Sequence, residues 1–432
     1  MKHRTKFEKL VKILETEPTM ATKIGQYSVC LKPEFVIGRG SDGTTVYIGL
    51  SDDGIEVAVK SLLLDRCKQL GANEKEILNS PMVRKEQHIV NYRFYTEEVD
   101  SVHAYLVLDL CEENLNDYVL SEERSKELLQ SKGPTVVSQI LHGLKALHCG
   151  NPVVLHRDLK PSNIFVNVEG EMVLADFGIS RKLTDGKTTH KSGQRGTEGW
   201  IAVESLPGED DGNFLSMEES KVRYKKQSDI QVVGMIIFFI LTKGEHPYGG
   251  LSHTQTSNLV QGKPVKLNKL DDPLAKDLID WMLRHNLRAR PSVEECLQHP
   301  YLMSTGEKFY FVTRVGNERE IKTNDVSSDV VKLLNADPSL PKASWKTKID
   351  AEVMSYISSH RSYSDDVADL VRLIRNTAEH WGDKTPPTTV QVKVGTPKEY
   401  FLNLFPTLPV LLHRIIREDP DWKQREQLKQ FF

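Results

Sequence analysis

The chain has no long apolar run, no excess of charge of either sign and no paired cysteines, and each absence excludes something. Its longest apolar stretch, Val232 to Leu241, is half the roughly 20 residues that a bilayer-spanning helix needs. The basic N-terminus (Lys2, His3, Arg4, Lys6) precedes no signal-type apolar core. The expectation is a soluble, cytoplasmic chain, or the cytosolic portion of a longer one, with no membrane contact of its own. With 57 Lys and Arg against 60 Asp and Glu, no global field advertises nucleic acid or an anionic surface, so any such contact has to be local. Five cysteines, Cys30, Cys67, Cys111, Cys149 and Cys296, are scattered and nowhere form a metal-ligand spacing, which points to a reducing compartment. No Gly/Ser-rich or Pro-rich linker and no internal repeat appears, so neighbouring domains are expected to stack directly.

What is present is ordinary globular material. A length of 432 residues exceeds one core, and two domains is the simplest count. Residues 5–17 place Phe7, Leu10, Val11, Ile13 and Leu14 at helical spacing, as in a short amphipathic helix or a frayed leader. Short β-rich runs follow (Tyr27 to Leu31, Thr45 to Leu50, Glu56 to Val59), broken by Gly and Asp as in an antiparallel meander. Beyond Asp117 the pattern becomes helical, with Thr135 to His148 and Asp229 to Leu241 as buried helices, and Leu110 to Glu113 forms the hinge. Pro207 to Lys226, rich in Gly, Asp, Glu and Lys, reads as a surface insertion.

Three clusters in the first 300 residues carry chemistry. Gly38, Gly40 and Gly43, followed by Val46, form G-x-G-x-x-G-x-x-V between strands, where absent side chains let backbone N–H groups approach phosphates. A dinucleotide-binding reading would need a helix after the turn, and strands follow instead. Lys60 closes Val57-Ala58-Val59-Lys60 and is placed to hold nucleotide phosphates while paired with a helix carboxylate. Glu76 is the preferred partner and Glu74 the alternative, because only the helical register decides which one faces inward. Leu155-His156-Arg157-Asp158-Leu159-Lys160-Pro161-Ser162-Asn163 is followed thirteen residues later by Asp176-Phe177-Gly178. Asp158 can accept a hydroxyl proton, Lys160 can neutralise a transferring phosphoryl group, and Asn163 and Asp176 can chelate Mg²⁺.

These motifs resemble the eukaryotic protein kinase family over Tyr27 to Met303, which implies a bilobal fold using ATP or ADP and Mg²⁺. Lys160 and Thr197 match the Ser/Thr pattern. The resemblance further implies that Glu204 pairs with Arg290, that Asp229 anchors the catalytic loop, that Leu108 is the gatekeeper, and that Asp109 to Cys111, beside Ala58, contacts adenine. Ala202-Val203-Glu204 departs from the family's Ala-Pro-Glu, which puts substrate docking in question. Thr188, Thr189 and Ser192, near Arg181, Lys182, Lys187, Lys191 and Arg195, are candidate phosphorylation sites.

In the C-terminal region one helical segment stands out. Asp369, Arg372, Arg375, Asn376 and His380 flank the apolar positions Val367, Leu370, Val371 and Ile374. Asn376 and His380 are four apart and share a face, with Arg375 alongside and Tyr363 upstream. A His can protonate a departing 5′ oxygen, an Arg can neutralise a phosphorane, and a Tyr can take a 2′-hydroxyl proton. Lys308 to Phe432 resembles the kinase-extension nuclease domain shared by ribonuclease L and the unfolded-protein-response kinase/endoribonuclease. The matching stretches are Val315-Gly316-Asn317-Glu318, Ser344-Trp345-Lys346-Thr347-Lys348-Ile349, Asp369 to His380, and Val394-Gly395 to Pro406. Trp345 is read as packing. Arg375 and His380 fall on the family's catalytic Arg and His, Tyr363 on its loop Tyr and Asn376 on its Asn.

The expected fold is therefore α+β: a leader helix over 1–24, a bilobal kinase over 25–303 (lobes 25–110 and 114–303), and a mostly α-helical nuclease domain over 304–432. The resemblance implies RNA as substrate, metal-free cleavage to 2′,3′-cyclic phosphate and 5′-hydroxyl ends, and homodimerisation or higher assembly linked to nucleotide in the cleft. The alternative is a signalling kinase with a non-catalytic helical scaffold. Whether a sensor, ankyrin or membrane-spanning region precedes Met1 is left open.

Overall fold

The computed structural model describes residues 2–40, 43–97, 102–127, 132–183, 190–192, 197–206, 222–250, 252–337 and 344–432. The chain forms two compact units: Met1–Leu270 with Ile279–Val293, and Asp271–Leu278 with Glu294–Phe432.

The first unit begins with helix α1 (Arg4–Thr16), whose Leu10 is fully buried in a cluster with Cys30, Phe35, Ile48, Ala58 and Leu110. The amphipathic stripe thus docks rather than fraying. An antiparallel sheet follows, built from β1 (Thr22–Ile24), β2 (Tyr27–Val29), β3 (Val36–Arg39), β4 (Thr45–Ser51), β5 (Glu56–Leu63), β6 (Tyr92–Thr96) and β7 (His103–Asp109), in the order β1-β2-β4-β5-β7-β6 with β3 on β4. Side chains alternate across a strand. In β5, Val57 and Val59 therefore enter one core cluster, while Ala58 and Lys60 share the opposite face. The cross-strand pairs Val46 with Lys60 and Ala58 with Leu108 bring all four onto that face. Helix α2 (Leu64–Leu78) packs against β5 and β7.

The helical lobe is organised by Gly133–His148 and by Lys226–Leu241, the latter buried almost along its whole length, as its unbroken apolar run requires. The insertion read over Pro207 to Lys226 ends sooner than its composition suggests. Val222–Tyr224 pairs antiparallel with His190–Ser192, and Lys226 already opens a helix, so backbone pairing overrides polar composition. Residues 207–221 lie outside the described residues.

The second unit is helical. Its core gathers Phe311, Val315, Trp345, Leu370, Val371, Ile374, Phe401 and Leu412, among others. The four apolar positions of the Val367–His380 helix are all buried, and Lys384 to Thr388 forms the break before the next helix, Thr388–Val394. Thr305–Gly316 crosses the Val367–His380 helix at Gly316, where a Cβ atom would lie 2.6 Å from Arg375 Cβ. Only glycine permits that approach. Among the described residues no helix is long and apolar enough to cross a membrane.

Candidate active sites

The face carrying Val46, Ala58, Lys60 and Leu108 lines a cleft of about 460 Å³. Gly38, Gly40, Asp109 and Cys111 also line it, as do Lys160, Asn163 and Asp176. Gly43 does not; it shapes the turn, with φ of +79° and a Cβ position only 2.8 Å from Leu63. Burial pushes the Cys111 thiol up to about 12, so it stays neutral beside the hinge at physiological pH. Lys2 and His3 line the same cleft, and the Lys2 backbone N–H donates to Glu112. Their basic, unpatterned stretch carried no signal of that position.

The lysine partner is Glu74, not the preferred Glu76. Lys60 Nζ donates to Glu74 Oε2 at 2.8 Å and to Asp176 Oδ1 at 3.0 Å. Glu76 is exposed and takes Lys182 Nζ at 2.8 Å. Two residues along a helix is a rotation of about 200°, so only one of the pair can face inward. Burial opposes the charge on Lys60, but the Asp176 and Glu74 carboxylates outweigh it and raise its pKa. The Lys60 ammonium in turn holds Asp176 below the usual carboxylate range. The neighbouring Asn73, which sequence reasoning passed over, sends its Nδ2 to the backbone oxygens of Phe177, Gly178 and Ser180 at 2.9, 3.0 and 2.9 Å. Consecutive residues of α2 thus grip both the lysine and the Asp-Phe-Gly turn.

In the catalytic loop Asp158 is held from three sides. Lys160 Nζ donates to Asp158 Oδ2 at 3.0 Å and to Thr197 Oγ1 at 2.6 Å, Thr197 Oγ1 donates to Asp158 Oδ1 at 2.9 Å, and Asn163 Nδ2 donates to Asp158 Oδ2 at 3.0 Å. That leaves Asn163 Oδ1 and the Asp176 carboxylate as oxygen donors, a set that suits a hard cation such as Mg²⁺. Arg157 and Asp176 take positive φ (71° and 66°), local strain held by surrounding bonds. Asp229 supplies such bonds at Arg157, beneath the loop: its carboxylate accepts from the His156 and Arg157 backbone N–H groups at 2.9 and 3.1 Å and contacts His148 Nε2 at 2.9 Å. Burial alone would raise its pKa, but these contacts hold it low. Arg290 grips Glu204 in a bidentate pair at 2.9 Å, so losing the neighbouring proline does not cost this anchor. Thr188, Thr189, Lys187 and Arg195, and the side chains of Lys191 and Ser192, lie outside the described residues.

In the second unit Tyr363, Asn376 and His380 line one cavity of about 360 Å³. Asn376 Nδ2 donates to Tyr363 Oη at 2.9 Å, and Arg375 Nη1 donates to Asn376 Oδ1 at 3.0 Å. Arg375 does not itself line the cavity; its Nε donates to Asn317 Oδ1 at 2.7 Å. His380 Nδ1 lies 2.8 Å from Asp383 Oδ2, which leaves Nε2 for a substrate. Asp369 is structural: buried, it accepts from the Ser364 backbone N–H and pairs with Arg372 at 3.1 Å, and the Arg372 guanidinium covers the Tyr363 ring at 5.0 Å. Trp345 is buried and donates to Asp366 O at 3.2 Å, as expected of a packing residue. Sequence reasoning gave no role to Asn317 or Asp383. Among the described residues there is no cluster of three or more His, Cys, Asp or Glu able to hold a metal.

A bilobal fold with a Lys–Glu pair, a loop aspartate held by Lys160, Asn163 and Thr197, and an Asp-Phe-Gly turn defines a class, and the chain belongs to it: the protein kinase domain family matches residues 32–302, and the ribonuclease 2-5A domain family matches residues 308–432. Curated proteins similar to most of this chain include two whose names join the same two activities. The serine/threonine-protein kinase/endoribonuclease ire-1 of Caenorhabditis elegans is 31% identical over 86% of this chain and 37% of its own. The human serine/threonine-protein kinase/endoribonuclease IRE2 is 30% identical over 93% and 42%, and the sensor for unfolded proteins in the ER ire1 of Schizosaccharomyces pombe 28% over 90% and 38%. The chain thus spans about two fifths of the length of these curated relatives.

Proposed function

We propose that the chain is a Ser/Thr kinase that phosphorylates itself and a metal-independent endoribonuclease switched on by nucleotide-linked dimerisation. The observation that carries the nuclease half is the relay Asn317–Arg375–Asn376–Tyr363, which ends in the cavity that His380 also lines. In the kinase half Lys60 holds nucleotide phosphates, Asp158 accepts the proton of the attacking hydroxyl, and the γ-phosphoryl group moves to that oxygen while ADP departs. Asn163 and Asp176 would hold Mg²⁺, which would supply neutralising charge to the phosphate oxygens.

In the nuclease half a 2′-hydroxyl attacks the adjacent phosphate, with Tyr363 as the group that takes its proton. Arg375 neutralises the phosphorane, and His380 gives a proton to the departing 5′ oxygen. The products are a 2′,3′-cyclic phosphate and a 5′-hydroxyl. Two such domains act as a homodimer or higher assembly, and nucleotide in the cleft favours the competent form by binding it more tightly. The site of action is cytoplasmic and the setting a stress response; the fission yeast relative is named as a sensor for unfolded proteins in the ER.

The test is a fluorescent stem-loop RNA incubated with an ATP analogue and EDTA. Cleavage is expected to survive EDTA and to disappear in His380→Ala, while Asp158→Ala stops phosphorylation and spares cleavage. RNA left intact by the nucleotide-bound wild type leaves a kinase with a helical scaffold.

A further inference from the structure

The cavity that holds Tyr363, Asn376 and His380 has two chemically different sides. Arg361, Asn376, His380 and Lys384 supply donors suited to a phosphodiester. The other side is carbon: Tyr356, Ile357 and Trp381. The Tyr356 and Trp381 rings meet edge to face, with centroids 6.1 Å apart and an interplanar angle of 89°. They pack on the hydrophobic core behind them yet keep part of their surface on the cavity. A phosphate alone has no use for an aromatic wall, whereas a base attached to that phosphate does.

We propose that the Tyr356–Trp381 wall is a nucleobase subsite of the nuclease cavity, holding by stacking the base next to the phosphate that is cut. The inference rests on the nuclease reading and adds to it the part of the RNA that the cavity grips. Both rings are placed by the fold. Trp381 directly follows His380 at the end of the Val367–His380 helix, and the Tyr356 hydroxyl donates to Lys384 O at 3.3 Å. A base against the indole is therefore within one nucleotide of the imidazole. Stacking is tolerant of base identity because every base has a π-face, so the wall contributes affinity for unpaired nucleotides more than sequence choice. A cavity of about 360 Å³ lies at the lower end of small-ligand sites, enough for one nucleotide rather than a duplex.

Two measurements on the full chain test this. First, KM and kcat for a stem-loop RNA are compared with those for the same RNA made abasic beside the mapped cut. Trp381→Leu is expected to raise KM roughly 5- to 150-fold on the intact RNA, to add little on the abasic RNA, and to be largely restored in Trp381→Phe. Equal loss on both RNAs, or unchanged KM, overturns the subsite while cleavage abolished by His380→Ala keeps the nuclease reading. Second, the five tryptophans are labelled with 5-fluorotryptophan, and the ¹⁹F signal assigned through Trp381→Phe is followed by NMR. The four nucleoside 3′-monophosphates are expected to shift it and inorganic phosphate is not. No shift with any nucleotide, or the same shift with phosphate, overturns the subsite whether or not cleavage is seen.

Discussion

Two glutamates two residues apart now have different roles. Glu74→Ala leaves a buried ammonium without its partner and lets Lys60 move, so autophosphorylation is expected to fall about 100-fold or more, because a displacement of ~1 Å costs that much. Glu76→Ala removes an exposed pair worth at most ~1 kcal/mol, and activity is expected to stay within about fivefold. A phosphate-incorporation assay on both variants checks the assignment; the reverse order would restore Glu76. In the proposed nuclease half, Asn317→Ala takes a charge-assisted acceptor from Arg375. Cleavage is expected to slow by roughly ten- to a hundredfold, with RNA binding nearly unchanged. The motif residues Lys60, Asp158, Asn163 and Asp176 were legible in sequence because their chemistry needs fixed local spacing. Asn317 was not, since its partner is 58 residues away.

At the scale of elements, the functional side chains depend on how closely two backbones approach. Thr305–Gly316 and Val367–His380 touch where Gly316 has no side chain, and the contact falls on the stem of Arg375. Gly316→Ala forces an overlap of a kind that typically costs about 1–3 kcal/mol. Both the melting temperature and the cleavage rate are expected to drop, whereas alanine at the open Gly382 leaves both unchanged; equal behaviour of the two would remove the glycine's role. Helix α2 plays the matching part in the kinase. Asn73 ties it to the Asp-Phe-Gly backbone, so Asn73→Ala is expected to lower kcat more than it raises KM for ATP. A strand ending in Lys60 was readable in the sequence, but no sequence pattern stated that α2 turns Asn73 and Glu74 toward it.

At the scale of the second unit, stability carries a pH signature. His299 and His413 are fully buried, and burial holds both pKa values below the usual 6.5. His299 faces the Asp277 carboxylate, which also takes Arg417, and His413 lies against Phe311 and Phe432. The unfolded chain takes up these protons near pH 6.5 and the folded unit does not. The stability they contribute is therefore present above about 6.5 and lost as pH falls toward the native values. Urea midpoints of the whole chain are expected to decline below that pH, and His413→Phe to flatten the decline; an unchanged slope would assign it to other groups.

The sequence by itself determined the kinase-family motifs, the order of the two matched domains and the helix bearing Arg375, Asn376 and His380, because those depend on contiguous spacing and periodicity. The pairing of Lys60 with Glu74, the hold of Asn317 on Arg375 and the aromatic wall beside His380 were decided only by the tertiary structure. Each depends on which faces of separate elements meet, and that follows from packing a whole core rather than from any one segment.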